Sequence, residues 1–220
     1  VYSIWHSMVS RAHKGRGAVS RPRGRFEQRV VELDDAEAHE RAAEVPQTRL
    51  RATEPGRIIS TNTSPDVPFD QSINPDQGCE HGCVYCYARP SHSYLDLSPG
   101  LDFETRIFYK SNAAARLLSA WEARNYTCKP ITIGAHTDPY QPAEKTPDRT
   151  RQLLDLFLED RHPVTLITKS HLVERETDLL AALASRNLCS VAISVPTLNE
   201  ELKRVMEPRV PSAGSRLKAM

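Results

Sequence analysis

Cys79, Cys83 and Cys86 stand in the stretch CEHGCVYC, separated by three and then two residues, and account for three of the chain's five cysteines. In a reducing compartment, thiolates clustered this closely bind metal or do chemistry more often than they staple a fold. Four thiolates would close a coordination sphere. Three leave one position open, the mark of a reactive centre. Two metal chemistries meet that description. Zinc would take His81 or a distant group as its fourth ligand, whereas a [4Fe–4S] cluster would place one cysteine on each of three irons and leave the fourth free for a small molecule. Zinc modules usually pair two C-x2-4-C units across a longer loop, and no second Cys or His pair with that spacing follows here. His81 itself reads as a solvent-exposed spacer within the loop. The rival reading is a zinc-stabilised nucleic-acid-binding module, in which the three cysteines and a His hold the fold while a basic arm grips phosphate.

The elements that must position the cysteines follow from the hydrophobic pattern. RIIST at 57–61 is a short strand candidate, and a Pro- and Asp-punctuated stretch leads into the cysteines. Beyond them, SNAAARLLSAWEARN predicts an amphipathic helix with Ser111 as its N-cap. A regular alternation then sets in: strand PITIGAH, helix TPDRTRQLLDLFLEDR, strand PVTLITK, helix ERETDLLAALASRN, strand CSVAISV, helix LNEELKRVM. Continuous β-branched runs between helices predict a parallel sheet built from right-handed βαβ units, an α/β fold. Such folds gather functional groups at the carboxyl ends of their strands. Those ends here are GAHTDPYQP, ITKSH and ISVPTLN, so Thr137, Asp138, Lys169 and Ser194 become candidate site residues. Cys189 reads as a small core residue within its strand.

With these residues in view, CEHGCVYC resembles the signature loop of the radical S-adenosylmethionine (radical SAM) enzymes, and the resemblance runs over roughly residues 57–220. It implies a partial (β/α) barrel and a [4Fe–4S] cluster on Cys79, Cys83 and Cys86. The amino and carboxylate groups of S-adenosylmethionine would chelate the open iron, and one-electron cleavage would yield methionine and a 5′-deoxyadenosyl radical. It also implies that Tyr85, the aromatic residue before the last cysteine, contacts the adenine. Lys169 would pair with the methionyl carboxylate, Ser194 would reach the cofactor or its ribose, and Thr137 and Asp138 would touch the ribose or amino group. An electron donor of flavodoxin or ferredoxin type is the implied partner. The surrounding stretches TDPYQPAE, TKS and MEPR are similar to the group named for spore photoproduct lyase. That enzyme returns hydrogen from a cysteine near the end of its second strand. GAHTDPY offers Ala135 and His136 there instead, so thymine-dimer repair is a family echo rather than an expectation. A nucleic acid or modified nucleoside remains the substrate class to consider. Tyr87 reads either as packing or as facing substrate, and Glu207 and Arg209 either as a pair or as facing the cofactor.

Residues 1–55 are expected to form a flexible arm, with residues 56–220 as the barrel domain. Residues 8–29 hold seven Lys or Arg against Glu27 alone, and residues 30–48 hold six acids against Arg41. Neither half carries enough apolar surface to offset its ordering entropy. The basic half suggests contact with phosphate. A net charge of +1 gives the whole 220-residue chain no field that would advertise a polyanion or membrane partner. No apolar run approaches the ~18 residues that span a bilayer, and no signal-peptide pattern is visible, so a cytoplasmic location without membrane contact is expected. The sequence sets no oligomeric state. GSRLKAM reads as an unfinished helix, and the barrel as truncated after about four strand–helix units, which raises an inactive truncated member as a further alternative.

Overall fold

The computed structural model describes residues 15–23, 46–145 and 149–220. The expectations for the acidic half of the arm and for most of the basic half fall largely outside these residues. Eight strands are formed among the described residues: β1 Arg49–Thr53, β2 Ser60–Thr61, β3 Gln71–Ile73, β4 Asp76–Gln77, β5 Arg106–Lys110, β6 Ile131–Ile133, β7 Val164–Thr168 and β8 Cys189–Ile193. The principal sheet runs β2-β3-β6-β7-β8. Strands β3, β6, β7 and β8 are mutually parallel, and β2 is antiparallel at the edge. The register aligns Ile73 with Ile133 and Ile133 with Leu166, so branched side chains stack across the sheet. The expected mixed α/β architecture with parallel strands is present, and the sheet does not close into a barrel among the described residues.

Helices follow the strands in alternation: α1 Leu101–Thr105, α2 Ala113–Trp121, α3 Arg149–Glu159, α4 Thr177–Ala184, α5 Glu200–Met206 and α6 Ala213–Lys218. Leu117 of α2, Leu153, Leu154 and Phe157 of α3, and Leu183 of α4 are fully buried against Ile131, Ile133 and Leu166 of the sheet. Burial of such side chains contributes roughly 1.5–3 kcal/mol each, which is what holds the layers together. Cys189 packs against the same core and is only partly buried, its thiol 3.4 Å from the Leu180 carbonyl.

Several local expectations are corrected. RIIST forms pairing only at Ser60–Thr61, while Ile58 dips into the core. Ser111 does not cap α2. Asn112 holds the N-cap position without a side-chain bond, and Ser111 instead donates its amide to the Thr53 carbonyl at 3.0 Å. The segment expected to stay flexible up to residue 55 contributes β1, which pairs in parallel with β5 in a second sheet of order β1-β5-β4. Residues 15–23 of the basic half are likewise packed on the domain. Among the described residues no helix is long and apolar enough to cross a membrane.

Candidate metal centre

The cysteine loop leaves β4 through Gly78, whose φ of 88° suits a residue without a side chain. A Cβ there would come within 2.9 Å of the His92 ring, the Ile107 side chain and the Phe103 carbonyl. Cys79 then donates its amide to the Phe103 carbonyl at 2.9 Å, and Cys86 to the Cys83 carbonyl at 3.3 Å. The Cys83 carbonyl also accepts Arg89 Nη2 at 2.8 Å. Gln141, fully buried, spans the start of the loop: its carboxamide oxygen accepts the Glu80 amide at 2.8 Å and its NH2 donates to the Gly78 carbonyl at 3.1 Å. Cys79, Ala88 and Phe103 form a small apolar cluster apart from the main core, with Cys86 packed against it.

All three thiols are free, Cys79 and Cys83 buried and Cys86 half-buried. Burial drives the Cys79 thiol well above its ordinary range, and burial together with the nearby Glu207 charge pushes Cys83 up to about 12. A cation bound beside Cys79 and Cys83 would favour their thiolate forms. Among the described residues no three His, Cys, Asp or Glu side chains gather closely enough to hold a single ion. Three thiols on one loop are, by their chemistry, a donor set that an iron–sulfur cube accepts, one thiolate to each of three irons.

Tyr85 and Lys169 lie together, the ammonium 5.6 Å from the ring centroid. The group that joins them is Glu207. Its buried carboxylate accepts the Tyr85 hydroxyl, and Oε1 lies 3.6 Å from Lys169 Nζ. Arg216, also fully buried, neutralises it from the far side at 3.0 Å and donates to the Ser194 carbonyl at 2.8 Å. Within MEPR, Glu207 and Arg209 do not pair with each other: Arg209 pairs with Glu80 at 3.2 Å. Burial and the Glu207 contact raise the Tyr85 phenol far above its usual value, so it remains a hydrogen-bond donor.

Thr137 and Asp138 are engaged by the protein. The Thr137 hydroxyl donates to the Asp76 carbonyl at 2.8 Å. Asp138 accepts from the Thr168 hydroxyl and the Lys169 amide, both at 2.7 Å, and from the Tyr140 amide at 2.9 Å. His81 completes the set: its Nδ1 is 3.4 Å from Asp138, and the ring is 2% exposed, so it is no solvent-facing spacer. Burial alone would raise Asp138; the His81 charge and these donors outweigh it and hold the carboxyl below the usual range. The polar strand end after β6 thus ties β7 to the cysteine loop.

The profile of the Radical SAM superfamily matches residues 73–220, about two-thirds of the chain. The chain belongs to the radical SAM superfamily. Among curated proteins it is similar to an uncharacterized protein of Mycobacterium tuberculosis (strain H37Rv), 35% identical over 151 residues, covering 69% of this chain and 44% of that protein. An uncharacterized protein of Methanocaldococcus jannaschii is 28% identical over 149 residues, 67% of this chain and 52% of its own length. One from Acidianus two-tailed virus is 25% identical over 147 residues, 65% and 48% respectively. The chain spans about half the length of these relatives. No solved structure matches.

Beside the loop, the radical SAM domain has a cavity of about 420 Å³, lined by Tyr87, His136, Lys110 and Asn74 among others. Tyr87 is 73% exposed, with its hydroxyl on the Ala135 carbonyl and its ring edge-on to His136. A cavity of about 760 Å³ lies away from the cysteines, between residues 56–71 and 116–129. Cys128, exposed, precedes β6 at the end opposite Ala135. Gln141, Glu80 and Arg216 escaped the sequence reading. Only Gln141 left a trace, as a polar residue in the long strand end TDPYQP.

Proposed function

We propose that this radical SAM chain binds a [4Fe–4S] cluster on Cys79, Cys83 and Cys86 and cleaves S-adenosylmethionine reductively. When bound, the cluster supplies the electron that breaks the sulfonium carbon–sulfur bond and yields a 5′-deoxyadenosyl radical. The observation that carries the reading is three free thiols on one glycine-turned loop, Cys79 and Cys83 buried and Cys86 half-buried, in a chain whose residues 73–220 match the superfamily.

The chain's own residues do the rest. Tyr85 offers its ring to the adenine while Glu207 holds its hydroxyl. Lys169, kept beside that ring, presents an ammonium to the methionyl carboxylate. The Ser194 hydroxyl faces the same ligand, its backbone fixed by Thr168 and Arg216. Asp138 acts through position, tying the Lys169 amide to His81 of the loop, and Thr137 does so by holding the Asp76 carbonyl. Electrons come from a flavodoxin- or ferredoxin-type donor.

Similarity of the cysteine stretch, TDPYQPAE, TKS and MEPR to the group named for spore photoproduct lyase supports a nucleic acid or modified nucleoside as substrate. Ala135 and His136 supply no thiol, so a hydrogen-returning cysteine at this strand end is not part of the proposal. Anaerobic reconstitution of the full-length protein with iron and sulfide should give four irons and four sulfides per chain and release 5′-deoxyadenosine from S-adenosylmethionine under strong reductant. Replacement of any one of the three cysteines by Ala should abolish both. One zinc without acid-labile sulfide, or no cleavage by fully loaded protein, would overturn the reading.

A further inference from the structure

Residues 15–20, GRGAVS, are built into the wall of the cysteine loop. Arg16 is 7% exposed. Its Nη1 donates to the Glu104 carbonyl at 2.8 Å, and its Nη2 to the Pro46 carbonyl at 3.0 Å and to Thr48 Oγ1 at 2.8 Å. The next two amides, Gly17 and Ala18, donate to the two carboxylate oxygens of Glu104 at 3.1 and 2.7 Å.

From this strap two routes lead to the cysteines. Glu104, fully buried, also accepts Arg89 Nη2 at 2.7 Å, and the same nitrogen donates to the Cys83 carbonyl at 2.8 Å. On the other side Thr48 donates to the carboxylate of Glu80, the residue after Cys79, and Arg16 lies 3.9 Å from that carboxylate. Between the two routes the backbones themselves meet. A Cβ on Gly17 would fall 1.7 Å from the Gly82 carbonyl oxygen, and one on Gly82 would fall 3.1 Å from the Gly17 amide nitrogen. Gly82 has φ of 69° and lies immediately before Cys83. Only a residue without a side chain fits at position 17.

We propose that residues 15–20 are a brace for the cysteine loop, with Arg16 and Gly17 as positioning residues that fix the Cys79–Cys83 turn. This rests on the reading of the three cysteines as cluster ligands. The loop has little regular pairing of its own, so its shape depends on outside partners. Charge-assisted bonds from Arg16, from two amides and from Arg89 to buried carboxylates and carbonyls are the strong kind. Partners one step removed from metal ligands commonly change metal retention by 10–100-fold when lost. The role of this part of the basic arm is therefore internal: Arg16 is turned inward and is not available to a polyanion.

The test uses the full-length protein in two states. In the metal-free state, amide hydrogen exchange is followed for Gly17→Val, Arg16→Ala, Arg16→Lys and, as a control, the exposed Arg23→Ala. In the reconstituted state, loss of cluster absorbance to a ferrous chelator is timed for the same set. Gly17→Val and Arg16→Ala should speed exchange at residues 79–86 and cluster loss by about tenfold or more. Arg16→Lys, which keeps the charge but cannot make all three bonds, should fall between. Amides of β6 and β7 should be unchanged, and Arg23→Ala should behave as wild type. Unchanged rates at the loop in both severe variants would overturn the brace. So would equal acceleration in β7, which would report general loosening. Failure of the wild type to take up any cluster would sink the proposed function instead, and exchange in the metal-free protein would still decide the brace.

Discussion

Glu207 is fully buried, yet Tyr85, Lys169 and Arg216 all reach its carboxylate. Removing one member of a buried pair leaves the other charge uncompensated and costs about 3–5 kcal/mol, whereas replacing both can be nearly neutral. Glu207→Gln should therefore destabilise the metal-free protein by about 3–5 kcal/mol in urea unfolding. Adding Arg216→Met should restore at least half of the loss. A single-variant effect below about 1 kcal/mol would show that the pair is not the anchor. Tyr85, Lys169 and the three cysteines were legible in the sequence because motif spacing and strand ends are local properties. Glu207 was only half legible. MEPR drew notice, but the pairing of Glu207 with Arg216 depends on where α6 returns, and no short-range pattern encodes that. Arg16, Glu80 and Glu104 look like surface charges in the sequence and become internal through contacts across about 30 to 90 positions.

At the scale of elements, the first residue of α3 is tied to β4. Arg149 bridges Asp76 at 3.2 Å and also contacts Glu144, with all three side chains buried. One guanidinium serves two carboxylates. Burial, with Asp76 nearby, pushes Glu144 from 4.5 up to about 7 in spite of Arg149. The folded state therefore keeps a proton on Glu144 that the unfolded chain releases earlier. Stability from this group is fully present below about 4.5, falls as pH rises towards about 7, and is flat above that. The loss is of order 1–3 kcal/mol. Glu144→Gln, which can still accept the Thr150 amide, should flatten this part of the stability profile between about pH 5 and 8. Parallel profiles for variant and wild type would refute the assignment. Strands β6, β7 and β8 and helices α3 and α4 could be read from their apolar runs. Strand β1 could not. RLRAT is an exposed edge strand with no buried face, and its pairing with β5 spans more than fifty residues.

At the scale of the molecule, apolar burial among the described residues divides in two: a large core between sheet and helices, and the small cluster of Cys79, Ala88 and Phe103 under the cysteine loop. Phe157 belongs to the first, fully buried with its ring edge-on to Trp121 at 5.2 Å. Phe157→Ala should lower global stability by about 3–5 kcal/mol in urea, because the cavity lies between packed layers that relax only partly. Reconstitution below the new midpoint should still load the cysteines. Failure to load under those conditions would mean that the two apolar regions are one cooperative unit. Cys128 belongs to neither region. Because Cys128 is exposed at the far end of β6, a mild oxidant would join molecules through it at a distance from the cysteine loop. A doubled band on a non-reducing gel would then record how the sample was handled, and a thiol-reactive dye would find a foothold remote from the chemistry.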